Sequence, residues 1–306
     1  MKRLSFWIKF FGLILFSILI YKIGWESTLQ SIQKVPFVHI LISVLILWIA
    51  FYLKSSRWRI ISRSYDIPLG RYQAFKIFFI GLFLANITPG KLGDFGRLLY
   101  IKDKVPNQKI GLASLLMDRV FDLICLLLFS LFAFLYYQVV FEILKFPTNY
   151  NTIFIWILGL VLLLFSFFLF RKKIINIIKP WFIAFNSHDL GVCKSIKAFT
   201  ITCMSMILMY GVLNYLAWVM RLEISHIGLF LGAFIIGILT LLPITILGIG
   251  VRETSLVLIF QLYNLPSEDA IALSLIVFFV QLISFIPGAI WFYLSPIRLE
   301  DLKSMR

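Results

Sequence analysis

Long apolar runs constrain this chain more than any other feature of its sequence. A helix of about 20 apolar residues is about 30 Å long, which matches the hydrocarbon core of a bilayer. Apolar residues make up 61% of the 306 residues, against roughly 45–50% in globular proteins. A soluble core of this size cannot bury that much apolar surface. The sequence therefore predicts an all-α polytopic membrane protein and excludes a soluble enzyme, a disordered chain and a fibrous repeat protein.

The hydropathy pattern divides the chain into about eight hydrophobic segments. Two of them contain Pro and Gly near their middle. We therefore predict six full crossings and two re-entrant or broken-helix hairpins within a single integral membrane domain, 1–306. The crossings are predicted at 5–23, 37–53, 111–137, 152–170, 196–220 and 270–294, and the hairpins at 78–104 and 226–261.

Positive charge is concentrated in some of the loops between these segments. The chain has 29 Lys and Arg residues against 14 Asp and Glu residues. Because basic loops stay in the cytoplasm, segments 54–76 and 171–195 are predicted to be cytoplasmic, and the second of them to lie in the membrane interface. Both termini are then cytoplasmic, in a multi-pass protein of a bacterial inner membrane. The excess charge is expected to face anionic lipid headgroups, and nucleic acid is not an expected partner.

The first hairpin is predicted from a short apolar stretch that ends in a break. About 14 apolar residues precede Thr88-Pro89-Gly90, and they would span only about 21 Å as a helix. Basic residues stand on both sides of the hairpin, which favours entry and exit on the same side of the membrane. The side chains of Asn86, Thr88 and Thr245 are expected to satisfy backbone groups that are left free at the two breaks.

An internal repeat relates the two hairpins. The first carries the pattern P-x3-G-x3-R and the second P-x4-G-x3-R, about half the chain apart, and each follows two predicted crossings in its own half. The first hairpin opens from the cytoplasm and the second from outside. This arrangement predicts a 4+4 inverted-topology repeat of the kind common in transporters, with halves 5–137 and 152–295. The helix-break residues are Pro89, Gly90 and Gly93 in the first hairpin and Pro243, Gly248 and Gly250 in the second.

Charged residues at membrane depth are rare and expensive unless they are paired or hydrated. Most of those in this chain lie in the hairpins or in the crossing that follows the first one. We predict that they line a polar cavity between the hairpins and bind an anionic lipid headgroup, with the arginines placed for phosphate contact. The alternative is structural, with ion pairs that only fix the packing of the hairpins. The candidates are Lys91, Asp94, Arg97, Asp118, Arg119, Asp122, Arg252 and Glu253.

Sequence spacing predicts some pairs within this set. Asp94 and Arg97 are three residues apart, as are Arg119 and Asp122, so each pair can form on one helix face. Asp118 and Asp122 share a face at a spacing of four. The acidic residues could carry protons or hold the arginines.

No motif in the sequence specifies a catalytic reaction. GxSxG, HExxH and the P-loop are absent, and the scattered His and Cys residues predict no metal site and no cofactor. We therefore expect a transporter-like protein and not an enzyme, although a membrane-embedded transferase with Asp118, Asp122 or Glu253 as its base stays an alternative.

Three motifs in order resemble the membrane region of bacterial lysylphosphatidylglycerol synthases, which also occurs alone in flippase-like proteins. The resemblance covers roughly residues 5–295. Two departures are a Pro-to-Gly spacing one residue longer in the third motif and Asp118, where Glu is more usual. The motifs are TPGKLGDFGR with Pro89, Gly93, Asp94 and Arg97, then Asp118, Arg119 and Asp122, then LPITILGIGVRE with Pro243, Gly248, Gly250, Arg252 and Glu253.

The resemblance implies movement of a lipid between leaflets. The soluble aminoacyltransferase domain of the synthases is not expected here, so synthesis of lysylphosphatidylglycerol is not predicted. We expect translocation of an anionic phospholipid or a polyprenyl-linked lipid, and the lipid itself is not implied by the resemblance. The alternative is an accessory subunit that presents a lipid-linked substrate to a separate glycosyl- or aminoacyl-transferase of envelope biosynthesis. The sequence makes no prediction of the oligomeric state.

Overall fold

A computed structural model describes residues 33, 35–141, 190–241 and 249–295 of the protein. Within these ranges the regular structure is helical throughout. They contain eight α-helices and two 3-10 helices, Pro89–Gly96 and Lys102–Lys104. The α-helices are α1 (Phe37–Ser64), α2 (Arg71–Ile87), α3 (Arg97–Ile101), α4 (Gln108–Phe141), α5 (Val192–Val219), α6 (His226–Leu239), α7 (Val251–Leu262) and α8 (Ser267–Leu294).

Four of the described helices, α1, α4, α5 and α8, are long and apolar enough to cross a membrane. Each has at least 28 residues, and 28 residues rise about 42 Å. Their outer faces carry exposed large apolar side chains such as Leu45, Leu131 and Ile290, as expected of surfaces that lie in lipid. The predicted crossings at 37–53, 111–137, 196–220 and 270–294 are confirmed as helices.

Two predicted crossings, 5–23 and 152–170, lie outside the described residues, as does most of the basic segment 171–195. Residues 192–195 of that segment form the first turn of α5.

Helix α1 continues well beyond its predicted end at residue 53. We predicted a basic cytoplasmic loop from Lys54 onward, and this prediction is wrong for the part up to Ser64, which is helical. The side chains of Lys54 and Arg57 point inward from this extension, and both residues are buried. Carboxylates on α4 pair with them, so the charge is compensated inside the bundle and the helix is not interrupted.

The predicted break in the first hairpin is confirmed at the end of α2. The helix stops at Ile87, and the 3-10 helix Pro89–Gly96 packs back along it. The Thr88 hydroxyl donates to the Leu84 carbonyl at 2.8 Å and accepts from the Gly93 N–H at 2.6 Å. The Asn86 side chain donates to the Leu82 carbonyl at 2.7 Å. The Thr88 bonds satisfy backbone groups at the break, as predicted for Thr88, whereas Asn86 bonds a carbonyl inside α2.

Gly93 is required by the close approach of the two arms of this hairpin. A Cβ at this position would overlap the backbone carbonyl of Leu84 and the Thr88 hydroxyl. We expect Gly93→Ala to lower the melting temperature of the detergent-purified protein, because the backbone of α2 cannot yield as a flexible side chain would. Gly211→Ala is the matched control, since a Cβ at Gly211 meets nothing within 4 Å. Equal melting temperatures for the two variants would contradict the close approach.

The second hairpin pairs two short helices, α6 and α7, which contact each other directly. Helix α6 has 14 residues and α7 has 12, so each spans only about 20 Å. Gly250 precedes α7 with φ at 88°, a conformation that favours glycine. The predicted break residues Pro243 and Gly248, together with Thr245, lie outside the described residues.

Helices of each half of the chain pack against helices of the other half. Helix α4, which follows the first hairpin, packs against α6 of the second hairpin, and α8, which follows the second hairpin, packs against α2 of the first. Helices α1 and α5, which open the described part of each half, pack against each other. In the α2–α8 contact, Phe75 and Phe79 place their rings 5.7 and 5.8 Å from that of Trp291.

Candidate functional site

Seven charged side chains from α1, the first hairpin and α4 meet in the interior of the bundle. We call this group the charged cluster. Its ion pairs join four cations to three carboxylates, so the cluster carries one excess positive charge among the described residues. The members are Lys54, Arg57, Asp94, Arg97, Asp118, Arg119 and Asp122.

Arg57 joins the two carboxylates of α4. Its Nε donates to Asp118 at 2.9 Å, and its Nη1 donates to Asp122 at 2.7 Å and to the Thr202 hydroxyl at 2.8 Å. The side chain is fully buried. A buried guanidinium needs such partners, because an unpaired charge in a low-dielectric interior costs several kcal/mol. Arg57 thereby ties α1, α4 and α5 together.

Arg97 begins α3, directly after the 3-10 helix, and is also fully buried. Its guanidinium pairs with Asp94 and lies 3.4 Å from Asp118. The rings of Trp58 and Phe78 cover it, with their centroids 4.7 and 5.2 Å from the guanidinium carbon. The predicted pair of Asp94 with Arg97 is confirmed, and its surroundings fix the end of the first hairpin against α1 and α4.

Arg119 and Lys54 are the most exposed cations of the charged cluster. Arg119 donates from Nε to Asp94 at 2.8 Å and lies 3.8 Å from Asp122, yet its side chain is 35% exposed. Lys54 donates to Asp122 at 2.9 Å. The predicted pair of Arg119 with Asp122 is therefore present at the longer distance, and Asp94 is the closer partner.

Arg252 and Glu253 form a second polar group at the start of α7. Arg252 donates to Ser274 at 2.8 Å, to Gln281 at 3.2 Å and to Glu253 at 3.0 Å. Glu253 also accepts from the Gly250 N–H at 2.6 Å and from the Ser274 hydroxyl at 2.7 Å. A carboxylate at this position compensates the positive end of the helix dipole, so Glu253 fixes the start of α7.

A central cavity of about 610 Å³ lies between the two groups. Side chains of α1, α2, α4, α5, α6, α7 and α8 line it, and most of them are apolar, for example Leu82, Leu123 and Phe285. Its volume falls in the range of small-molecule sites, about 300–1,000 Å³. The polar side chains on its wall are Lys54, Asn86, Thr88, Arg119, Asp122, Tyr210, Thr240, Arg252 and Gln281.

The predicted site residues divide into two sets. Arg119, Asp122 and Arg252 lie on the cavity wall. Asp94, Arg97, Asp118 and Glu253 do not line the cavity; they are buried and hold those residues or the adjoining helices in place. Nothing is described of the Lys91 side chain.

Lys54 and Arg57 are site residues that the sequence did not predict, because both were expected in a loop. A signal for them exists in the spacing of α1. Leu47, Phe51, Lys54, Trp58 and Ile61 recur at intervals of three and four, and all five are buried. This helical period passes through the first basic residues without interruption, and it predicts that they continue the inner face of the helix.

The fold and the site define a helical membrane protein that crosses the membrane several times around a largely apolar cavity, whose wall includes a few charged side chains. The profile of the lysylphosphatidylglycerol synthase TM region matches residues 6–288. The chain belongs to this family.

Curated relatives carry only general names. A UPF0104 membrane protein of Pyrococcus horikoshii is 29% identical over 41% of this chain, and the alignment spans only 38% of that relative. Two UPF0104 membrane proteins of Methanocaldococcus jannaschii are 27% and 22% identical over 70% and 92% of the chain, with 94% and 91% of their own lengths covered. No solved structure matches the chain.

Proposed function

We propose that this protein moves a lipid with an anionic headgroup between the leaflets of the cytoplasmic membrane. The observation that carries the proposal is the central cavity, in which a largely apolar wall adjoins Lys54, Arg119 and Arg252. A lipid presents the same two surfaces, a charged headgroup and apolar chains. The headgroup is the part that cannot cross a bilayer unaided, because its charge would lose its hydration. A cavity whose wall carries cations lowers that barrier without a chemical step.

Charge supports an anionic headgroup. The cavity wall carries three cations and one carboxylate, Asp122, among the described residues. With the buried partners of these residues included, the charged cluster and the Arg252–Glu253 pair together hold five cations and four carboxylates. A phosphate in the cavity would compensate this excess and accept hydrogen bonds from the guanidinium groups. A phosphodiester and a polyprenyl phosphate both fit this chemistry.

We assign different roles to the two arginines of the repeated motif. Arg252 is the proposed phosphate contact, because it lies on the cavity wall. Arg97 is a positioning residue, because it is fully buried between Asp94, Asp118 and the ring of Trp58. In this role Arg97 holds Asp94, which in turn holds Arg119 at the cavity.

The proposal includes an inverted 4+4 repeat whose hairpins open alternately. The exchange of contacts supports it, since α4–α6 and α8–α2 are equivalent pairs if the halves are equivalent. We further propose that both hairpins are re-entrant and that both termini are cytoplasmic.

A vesicle assay tests translocation directly. The purified protein is reconstituted into phosphatidylcholine vesicles that contain phosphatidylglycerol with a fluorophore on an acyl chain, and loss of outer-leaflet fluorescence is followed after addition of dithionite. We expect the inner-leaflet fraction to become accessible faster than in protein-free vesicles, and faster than for labelled phosphatidylcholine. Equal rates with and without protein would overturn the proposal in favour of the accessory subunit, which needs a partner transferase.

Obstruction of the cavity supplies a second prediction. Leu123 lines the cavity and is 46% exposed, so Leu123→Trp adds bulk at an open edge and the helix is expected to stay intact. We expect translocation to fall several-fold. Leu131→Trp is the matched control on the same helix, since Leu131 is 55% exposed and lies away from the cavity. Equal translocation rates for the two variants would indicate that the lipid crosses by a route outside the cavity.

A further inference from the structure

A second, smaller polar pocket lies on the outer side of α1, where α2 begins. Its volume is about 280 Å³. Arg59 of α1 and Arg71 of α2 converge on it from two helices, because the turn between them reverses the chain. None of its lining side chains belongs to the wall of the central cavity. The lining residues are Tyr52, Ser55, Ser56, Arg59, Arg71 and Ala74.

The pocket is suited to an anion. It is lined by two guanidinium groups and two serine side chains, and by no carboxylate. Arg59 and Arg71 are like charges that line the same pocket. Such a cation pair is relieved when an anion binds between its members, and a phosphate can accept hydrogen bonds from both.

Aromatic side chains around the pocket place it at the level of lipid headgroups. Tyr52 lines the pocket, is half exposed and has its ring 6.0 Å from that of Phe75. Tyr72, next to Arg71, is 69% exposed and has its ring 6.4 Å from that of Trp291. Exposed Tyr and Trp residues concentrate where a bilayer meets water. A lipid headgroup is therefore the anion most available to this pocket.

We infer that this pocket binds the phosphodiester of an anionic phospholipid at the membrane surface. The acyl chains would lie along the exposed apolar side of α1, which includes Leu45 and Ile49. The site is separate from the proposed translocation cavity, since no residue lines both. It holds a lipid at the side of the protein whether or not the central cavity transports one.

Lipid titration followed by native mass spectrometry tests this site. Detergent-purified protein is titrated with phosphatidylglycerol, with phosphatidylcholine as the zwitterionic comparison. We expect Arg59→Gln/Arg71→Gln to lose one tightly bound phosphatidylglycerol, with at least about tenfold weaker affinity, because two charge-assisted contacts are removed. Lys109→Gln/Lys197→Gln removes the same charge from exposed residues outside both cavities and is expected to bind as the wild type does.

Three results would overturn the inference. The first is wild-type binding by the double arginine variant. The second is an equal loss of affinity in the lysine control, which would indicate bulk charge only. The third is displacement of the lipid by excess inorganic phosphate, which would indicate a site for free anions. The same titration with Arg252→Gln separates the two cavities, because that variant is expected to keep the lipid at Arg59 and Arg71.

Discussion

Replacement of Arg252 by glutamine is expected to lower translocation of labelled phosphatidylglycerol by at least about tenfold, since a charge-assisted hydrogen bond is worth roughly 1.5–3 kcal/mol. The Arg252 side chain uses three contacts, to Ser274, Gln281 and Glu253, to fix its position. Its remaining N–H donors are free to reach a phosphate in the cavity. Glutamine keeps part of the polarity but removes the charge. The measurement is the dithionite assay described above, with the protein content of the vesicles matched.

Two further variants test the role of the Arg252 charge. One changes the geometry of the donors at Arg252, and the other removes a charge elsewhere. Arg252→Lys keeps the charge without the planar pair of donors and is expected to give an intermediate rate. Lys197→Gln removes an exposed positive charge outside the cavity and is expected to leave the rate unchanged. If Arg252→Gln is folded, as judged by its melting temperature, and translocates at the wild-type rate, Arg252 is only a structural partner of Glu253.

Arg57→Met is expected to cause the largest loss of stability of any single change in the charged cluster. The substitution leaves the buried Asp118 with only the longer contact to Arg97 and takes from Asp122 its contact at 2.7 Å. Loss of one partner of a buried ion pair costs about 3–5 kcal/mol, because the other charge remains in a medium of low dielectric constant. Equilibrium unfolding in mixed detergent and SDS micelles measures the change in the free energy of unfolding.

A second substitution tests whether unpaired charge causes this loss. Arg57→Met/Asp118→Asn removes a cation and a carboxylate together, and we expect it to recover part of the stability. Arg63→Met, on the exposed surface of the same helix, is expected to unfold as the wild type does. A double variant that is less stable than Arg57→Met alone would indicate that the hydrogen bonds of Asp118, and not its charge balance, stabilise the bundle.

The sequence was sufficient to predict the helices that face lipid. Helices α4, α5 and α8 begin and end within about four residues of the predicted limits, because a bilayer imposes one length on every crossing. The break at Pro89 was equally predictable, because only about 14 apolar residues precede Thr88-Pro89-Gly90 and would span about 21 Å; proline alone does not decide this, since α8 continues through Pro287. In both cases a local rule determines the outcome.

Predictions failed where a distant partner decides the structure. The spacing of α1 indicates that Lys54 and Arg57 continue its inner face, but nothing local to α1 identifies Asp118 and Asp122, the partners that neutralise them. Likewise, the spacing of Arg119 and Asp122 predicted their pair, but Arg119 lies closer to Asp94, 25 positions away in the sequence. Sequence thus identified most of the cluster and could not rank its contacts.

The exchange of packing partners between the halves has a consequence for how the chain is made. Helix α8 covers the Phe75 and Phe79 side of α2, yet α8 begins about 180 residues after α2 ends, which is roughly 10–40 s of translation. During that time the first hairpin has been synthesised, but α8, which packs against it in the folded protein, has not. Lipid or the insertion machinery must shield that face, and the halves expressed as separate polypeptides are expected to be unstable until they meet.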